Sequence, residues 1–235
     1  MTYLFFDIEC ANSFGGTGKI CSFGYCLCNS NFSIIESGDL LMNPDAVFDW
    51  YLFSKHAKCK LAYSREEYNK EPKFPHHYSK IKSLLEAKNR LVFGFGCQND
   101  VATIATECIR YDVPLIDFNC YDVRTILEKF YDMQGGLGTF VEKLEIPTQG
   151  MEFHDSKADA FFTMKVTEKL TKDCEKSIEE QLTPYTPFSS HELQKSKIKK
   201  LYANYIKQKN QGENPKRKPK KIVVPKTFDY RRELL

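Results

Sequence analysis

YLFFDIEC, residues 3–10, is the stretch on which the reading of the whole chain turns. Its apolar run reads as a buried strand, yet it carries Asp7 and Glu9 two residues apart. Successive side chains on a strand alternate, so both carboxylates leave the same face. Like charges in a dry setting repel and are costly unless something positive neutralises them. No basic residue lies nearby in sequence. Either the acids project from the open end of the strand into water, or they hold a cation.

Working outward, three strands are expected at 2–9, 19–28 and 32–41, with NSNF turning the second into the third, an antiparallel meander. A loop-rich aromatic segment, 42–74, follows and is expected to cover one edge or mouth of the sheet. HHYSKIKSLLEAK reads as an amphipathic helix and RLVFGFG as a short buried strand. In QNDVATIATECIRYD the apolar residues Val101, Ile104, Ala105, Cys108 and Ile109 recur at helical spacing, which puts Asp100 in the first turn of a helix directly after that strand. PLIDFNCYD is a further strand and VRTILEKFYDM a further helix. HDSKADAFFTMKVTEKLTKDCEK is a helix with Asp155 or Ser156 near its N-cap. A meander followed by βαβ units gives an α/β fold: a mixed five-stranded sheet, antiparallel then parallel, flanked by helices.

The charge is unevenly placed. Residues 184–235 hold 14 basic and 4 acidic residues, a net of +10, whereas residues 1–183 hold 20 basic and 27 acidic ones, a net of −7. The overall +3 thus averages an acidic body, 1–183, and a basic C-terminal extension, 184–235. The extension is expected to form a lysine-rich helix over about 189–209, opened by a capping box from Ser189 to Glu192, then a Pro/Lys-rich linker and tail. It suits a contact that tracks a nucleic-acid backbone, and its interleaved tyrosines suit base stacking. The nine cysteines are odd in number and scattered through apolar runs, as small buried hydrophobes are. With no apolar run approaching the roughly 18 residues of a membrane span and no signal-like N-terminus, a cytoplasmic location is expected.

Two further acids stand at helix starts: Asp100 after FGFGCQN, and Asp159 in FHDSKADA, five residues after His154. Each alone suits the positive end of a helix. Together with Asp7 and Glu9 they make four acids and one histidine on elements that can converge at one end of the sheet. In this ordered set the chain resembles the DEDD superfamily of 3′-to-5′ exonucleases, in its histidine-bearing, DnaQ-like (DEDDh) group with an RNase H-like fold. FFDIEC matches the first motif, D-x-E, and His154 with Asp159 matches H-x-x-x-x-D. Asp100 matches the acid of the second, although GFGCQND has Phe95 and Gly96 where the family often has His and Asn. The resemblance covers about residues 1–173.

The resemblance implies a metal-dependent 3′-5′ exonuclease using two Mg²⁺ or Mn²⁺ ions. Asp7, Glu9, Asp100 and Asp159 are then the metal ligands and His154 the general base. Oxygen-rich sites suit these hard cations, and a pair of ions about 3.5–4 Å apart suits phosphodiester hydrolysis. Cys10, Asn12 and Phe95, which flank the first two motifs, are candidates for substrate contact. The expected partner is the 3′ end of a nucleic acid, single-stranded because a terminal nucleotide has to reach a recessed site. Two alternatives stand beside this: an inactive exonuclease-fold adaptor acting through the basic tail, and an exoribonuclease specialised for short or structured RNA.

Overall fold

The computed structural model describes residues 1–12, 18–54, 60–148 and 150–193. The meander is β1 (Thr2–Cys10), β2 (Ile20–Asn29) and β3 (Ile34–Leu41). The last of these starts two residues later than its apolar pattern suggests. Phe32 sits at φ 58°, in the left-handed turn that reverses the chain, and cannot join the ladder. The segment after β3 contains a 3-10 turn (Trp50–Phe53) and a short helix, α1 (Arg65–Lys70), opened by a capping box between Ser64 and Glu67.

Two parallel βα units follow: α2 (Phe74–Leu85), β4 (Arg90–Gly94) and α3 (Gln98–Arg110), then β5 (Asn119–Asp122) and α4 (Val123–Tyr131). Helices α5 (Leu137–Lys143), α6 (Ser156–Cys174) and α7 (Ile178–Leu182) complete the body, and β6 (Phe188–Ser189) closes the far edge. The strand order is β3-β2-β1-β4-β5-β6, antiparallel through β1, parallel from β1 to β5, and antiparallel again at β6. The five expected strands are present in the expected mixed sheet. The two-residue β6 is an addition, too short to announce itself in sequence.

Alternation along β1 divides the core. Leu4, Phe6 and Ile8 face α2 and α3, packing with Phe23, Ile81, Leu84, Val101 and Ile104. Tyr3 and Phe5 face α4, α5 and α6, packing with Phe93, Ile126, Phe140 and Phe162, and the Phe5 and Phe93 rings stack at 5.0 Å. A third, smaller cluster (Ala11, Cys21, Phe48, Leu52, Leu61, Tyr68) lies where β1 ends.

Residues just past the expected boundary at 183/184 pack on the body. Ser190 is buried, its Oγ accepts from Phe118 N (2.8 Å) and donates to Ile116 O (3.1 Å), and Leu193 lies against the first core. Ser189 Oγ accepts from Glu192 N, as the capping signature requires. The rest of the expected basic helix, with the linker and tail, lies outside the described residues. Among the described residues no helix is long and apolar enough to cross a membrane.

Candidate active site

β1 pairs with β4 only from Thr2 to Phe5, and with β2 along its whole length. Asp7 and Glu9 therefore project past the carboxyl end of β4, where a central parallel strand leaves its neighbour behind and a crevice opens. Their face is that of Tyr3 and Phe5, the face covered by α6. Opposite Asp7 in the β1–β2 ladder stands Gly24. A Cβ at that position would fall 2.0 Å from Ser156 C and 2.2 Å from Lys157 N, so only glycine lets the N-terminus of α6 rest on β2. That close approach brings Asp159, one turn along, over β1.

The N-cap of α6 is Asp155, whose Oδ1 accepts from Lys157 N (3.0 Å) and Ala158 N (3.1 Å). Just before it His154 adopts φ 66°, a left-handed turn that aims its backbone N–H at Asp159 Oδ2 (3.1 Å). One ligand atom each from Glu9, His154 and Asp159 lie within 4.8 Å of one another. Asp100, in the first turn of α3, reaches the cluster from the other side. The β4–α3 turn that delivers it passes through Gly96 at φ 66°, whose N–H donates to Asp122 Oδ1 (2.8 Å).

This group is electrostatically costly as it stands. Burial and then the charge of Asp100, Glu9 and Asp159 hold the Asp7 carboxyl well above the usual range. Glu9 is pushed up to about 8 by burial and then by Asp159 and Asp100. Burial, followed by Asp122, raises Asp100 to about 7; burial also raises Asp159 to about 7, against the pull of the His154 N–H. None of the ion pairs among the described residues involves these four acids. Asp159 Oδ1 is a buried oxygen without a hydrogen-bond partner. A cluster of hard oxygen donors, mutually repelling, with one oxygen left over, has the chemistry of a divalent-cation site, and the residues present fit Mg²⁺ or Mn²⁺.

Three residues whose link no local sequence signal records support the cluster. Ser22 and Ser156 both donate to Asp39 Oδ1, the latter at 3.0 Å, joining β2, β3 and the start of α6. Asp39 also adds its charge to the field at Asp7 and Glu9. Their spacing across 134 residues is invisible to any window of sequence; Gly24, a glycine inside a buried strand, is the one readable hint. Of the candidates for substrate contact, Cys10 packs on the first core, Asn12 Nδ2 donates to Val47 O (2.7 Å), and Phe95 packs edge-on against Phe140.

No protein-family model and no curated protein sequence matches the chain. Solved structures do. The nuclease domain of 3′hExo, a DEDDh family member bound to rAMP, aligns with 73% of this chain and 92% of its own, at TM-score 0.60 and 16% identity. The fold is that of the DEDDh 3′-exonucleases. The same exonuclease fold gives alignment with S. pombe Pop2p in its Mg²⁺- and Mn²⁺-bound form, over 72% of this chain and 82% of that one (TM-score 0.60, 13% identity). E. coli exonuclease I in complex with a dA16 oligonucleotide aligns over 73% of this chain at TM-score 0.60 and 15% identity, and the chain spans 41% of that protein's length.

Proposed function

We propose that this protein is a metal-dependent 3′-5′ exonuclease acting on single-stranded nucleic acid. The observation that carries the reading is the convergence of Glu9, His154 and Asp159 within 4.8 Å, beside Asp7 and Asp100, on the fold of such enzymes. Asp7, Glu9, Asp159 and Asp100 would hold two Mg²⁺ or Mn²⁺ ions. When bound, such ions polarise the scissile phosphate, lower the pKa of water and stabilise the leaving oxygen. The four carboxylates would be ionised in their company, which relieves the repulsion that burial imposes on the metal-free cluster. His154, at the entrance to α6, accepts a proton as water adds to phosphorus. The bond from phosphorus to the 3′ oxygen of the preceding nucleotide breaks, that oxygen takes a proton from solvent to become the new 3′ hydroxyl, and the terminal nucleotide leaves with its 5′ phosphate. The backbone N–H of His154 donates to Asp159 Oδ2, so the stretch that carries the base is tied to this carboxylate.

The test is incubation with Mg²⁺ and matched 3′- and 5′-labelled DNA and RNA oligonucleotides. The 5′-labelled strand is expected to shorten stepwise and the 3′ label to leave as a mononucleotide, both abolished by chelation and by Asp7→Ala. Shortening from the 5′ end, or full activity in Asp7→Ala, overturns the proposal. No hydrolysis together with poor Mn²⁺ and Mg²⁺ binding overturns it in favour of an inactive adaptor.

A further inference from the structure

Beside the acid cluster lies a patch that the hydrolytic chemistry does not use. After β3 the chain folds back as the 3-10 turn, driving Phe48 and Leu52 into the third cluster with Ala11, Leu61 and Tyr68. Val47, ahead of the turn, is 85% exposed, and Trp50 and Tyr51 within it are 77% and 42% exposed. One exposed apolar residue is ordinary; here the Trp50 and Tyr51 rings meet edge to face at 6.3 Å on a well-anchored turn, with exposed Val47 three residues before Trp50, a patch that asks for a partner. The anchoring is firm. Asp49 N donates to Ala11 O (2.8 Å), Asn12 Nδ2 to Val47 O (2.7 Å), and Leu61 N to Leu52 O (3.0 Å). Arg65, on the surface at the start of α1, stacks its guanidinium 4.7 Å above the ring of Phe53, the last residue of the turn.

Ala11 is also the point of contact with the site. It follows Glu9 by two residues, just past the end of β1 and the irregularity in the β1–β2 ladder at Glu9/Cys10. Through the Ala11–Asp49 hydrogen bond the Cα of Trp50 lies no more than about 16 Å from that of Glu9 by backbone geometry, a span of a few nucleotides. On the side toward α6, the same cluster presents Tyr63, whose hydroxyl faces Asp39 and Asp155. Burial and then those two carboxylates push its pKa up to about 12. The aromatic lobe is thus continuous with the wall of the acid crevice.

We propose that Trp50, flanked by Val47 and Tyr51 and bordered by Arg65, is a stacking platform for bases of a single strand whose 3′ end lies among Asp7, Glu9 and Asp159. This rests on the nuclease reading above. A flat indole serves every base because each has a π-face, while a nearby guanidinium meets the phosphate. Continuity with the crevice singles out the substrate strand as occupant.

Trp50 is the only tryptophan in the chain, so its emission reports this site alone. In EDTA, where nothing is cleaved, oligothymidylate is titrated while tryptophan emission is read; affinities of variants are read by anisotropy of a 5′-labelled oligonucleotide. Binding is expected to quench Trp50. Trp50→Ala is expected to weaken affinity about tenfold and Trp50→Phe less, both with an unchanged salt slope, since stacking releases no counterions. Arg65→Ala is expected to reduce the slope by about 0.7. Binding without quenching and with unchanged affinity in Trp50→Ala overturns the platform and leaves the nuclease reading standing. A Trp50-dependent dimer in sedimentation, with no quenching by DNA or RNA, overturns it in favour of a second copy of the chain. No binding to any oligonucleotide, with no cleavage when Mg²⁺ is added, overturns both.

Discussion

Asp159 divides its work between two oxygens: Oδ2 takes the His154 N–H, and Oδ1 is buried without a partner. An ionised oxygen in that state costs stability until a cation meets it. Asp159→Asn should therefore stabilise the fold in EDTA at pH 8 by on the order of 1–3 kcal/mol, seen as a higher unfolding midpoint. It should also remove the stabilisation that Mn²⁺ gives and lower hydrolysis by at least about a thousandfold. Differential scanning fluorimetry with and without Mn²⁺, alongside a cleavage assay, checks all three. The sign of the pH dependence follows from the same acids. With Glu9 at about 8 and Asp100 and Asp159 at about 7, the folded state binds more protons than the unfolded one above the ordinary carboxylate range. Metal-free stability is thus fullest at the acid end and lost as pH rises through 7 to 8. Cations favour the ionised form, so their stabilising effect should grow across that window. A stabilisation by Mg²⁺ or Mn²⁺ that is the same at pH 6 and pH 8.5 would contradict this. The five residues themselves were legible because two short motifs carry four of them, and hydrophobic spacing carries Asp100 to a helix start.

The element that decides the site is α6, and it is seated by contacts that no local pattern records. Gly24→Ala puts a carbon where the Ser156 backbone already is. It should destabilise the fold by about 1–3 kcal/mol or more and displace Asp159 from Glu9. Chemical denaturation, paired with a Mn²⁺ titration of the folded fraction, is the measurement. Retention of wild-type stability and metal affinity would show that α6 has freedom the packing denies it. Strands and helices were readable from period and punctuation, since those signals are local. The Ser22–Asp39–Ser156 link and the approach at Gly24 were not, because they arise only once β2, β3 and α6 are brought together. Similarly, the aromatic run at 47–53 announced a covering loop, but which rings turn inward depends on Ala11 and Asn12 holding this segment from far earlier in the chain.

At the scale of the molecule, the acidic body and the basic extension oppose one another in sign. Residues 194–235 carry 14 basic and 3 acidic residues. Ending the chain after Leu193 retains β6 and removes that charge. Such a protein should bind a twenty-nucleotide strand more weakly at low salt, with a shallower dependence of log affinity on log salt. Turnover of a trinucleotide should be unchanged. Anisotropy titrations at several salt concentrations and a short-substrate rate assay separate the two effects. An unchanged slope would leave the extension without a part in substrate binding.

The direction of β6 sets a geometric rule for such a contact. β6 runs opposite to β5, and Ser190 bonds to Phe118, ahead of the start of β5. The polypeptide thus enters its lysine-rich part at the rear of the sheet, whereas the carboxylates open at the front. β1 has nine residues, so front and rear are about 30 Å apart, or roughly nine stacked nucleotides. Where the lysines bind near their point of departure, a strand below that length would engage only the front, and the proposed nuclease would acquire a molecular ruler that favours long strands and disengages as they become short.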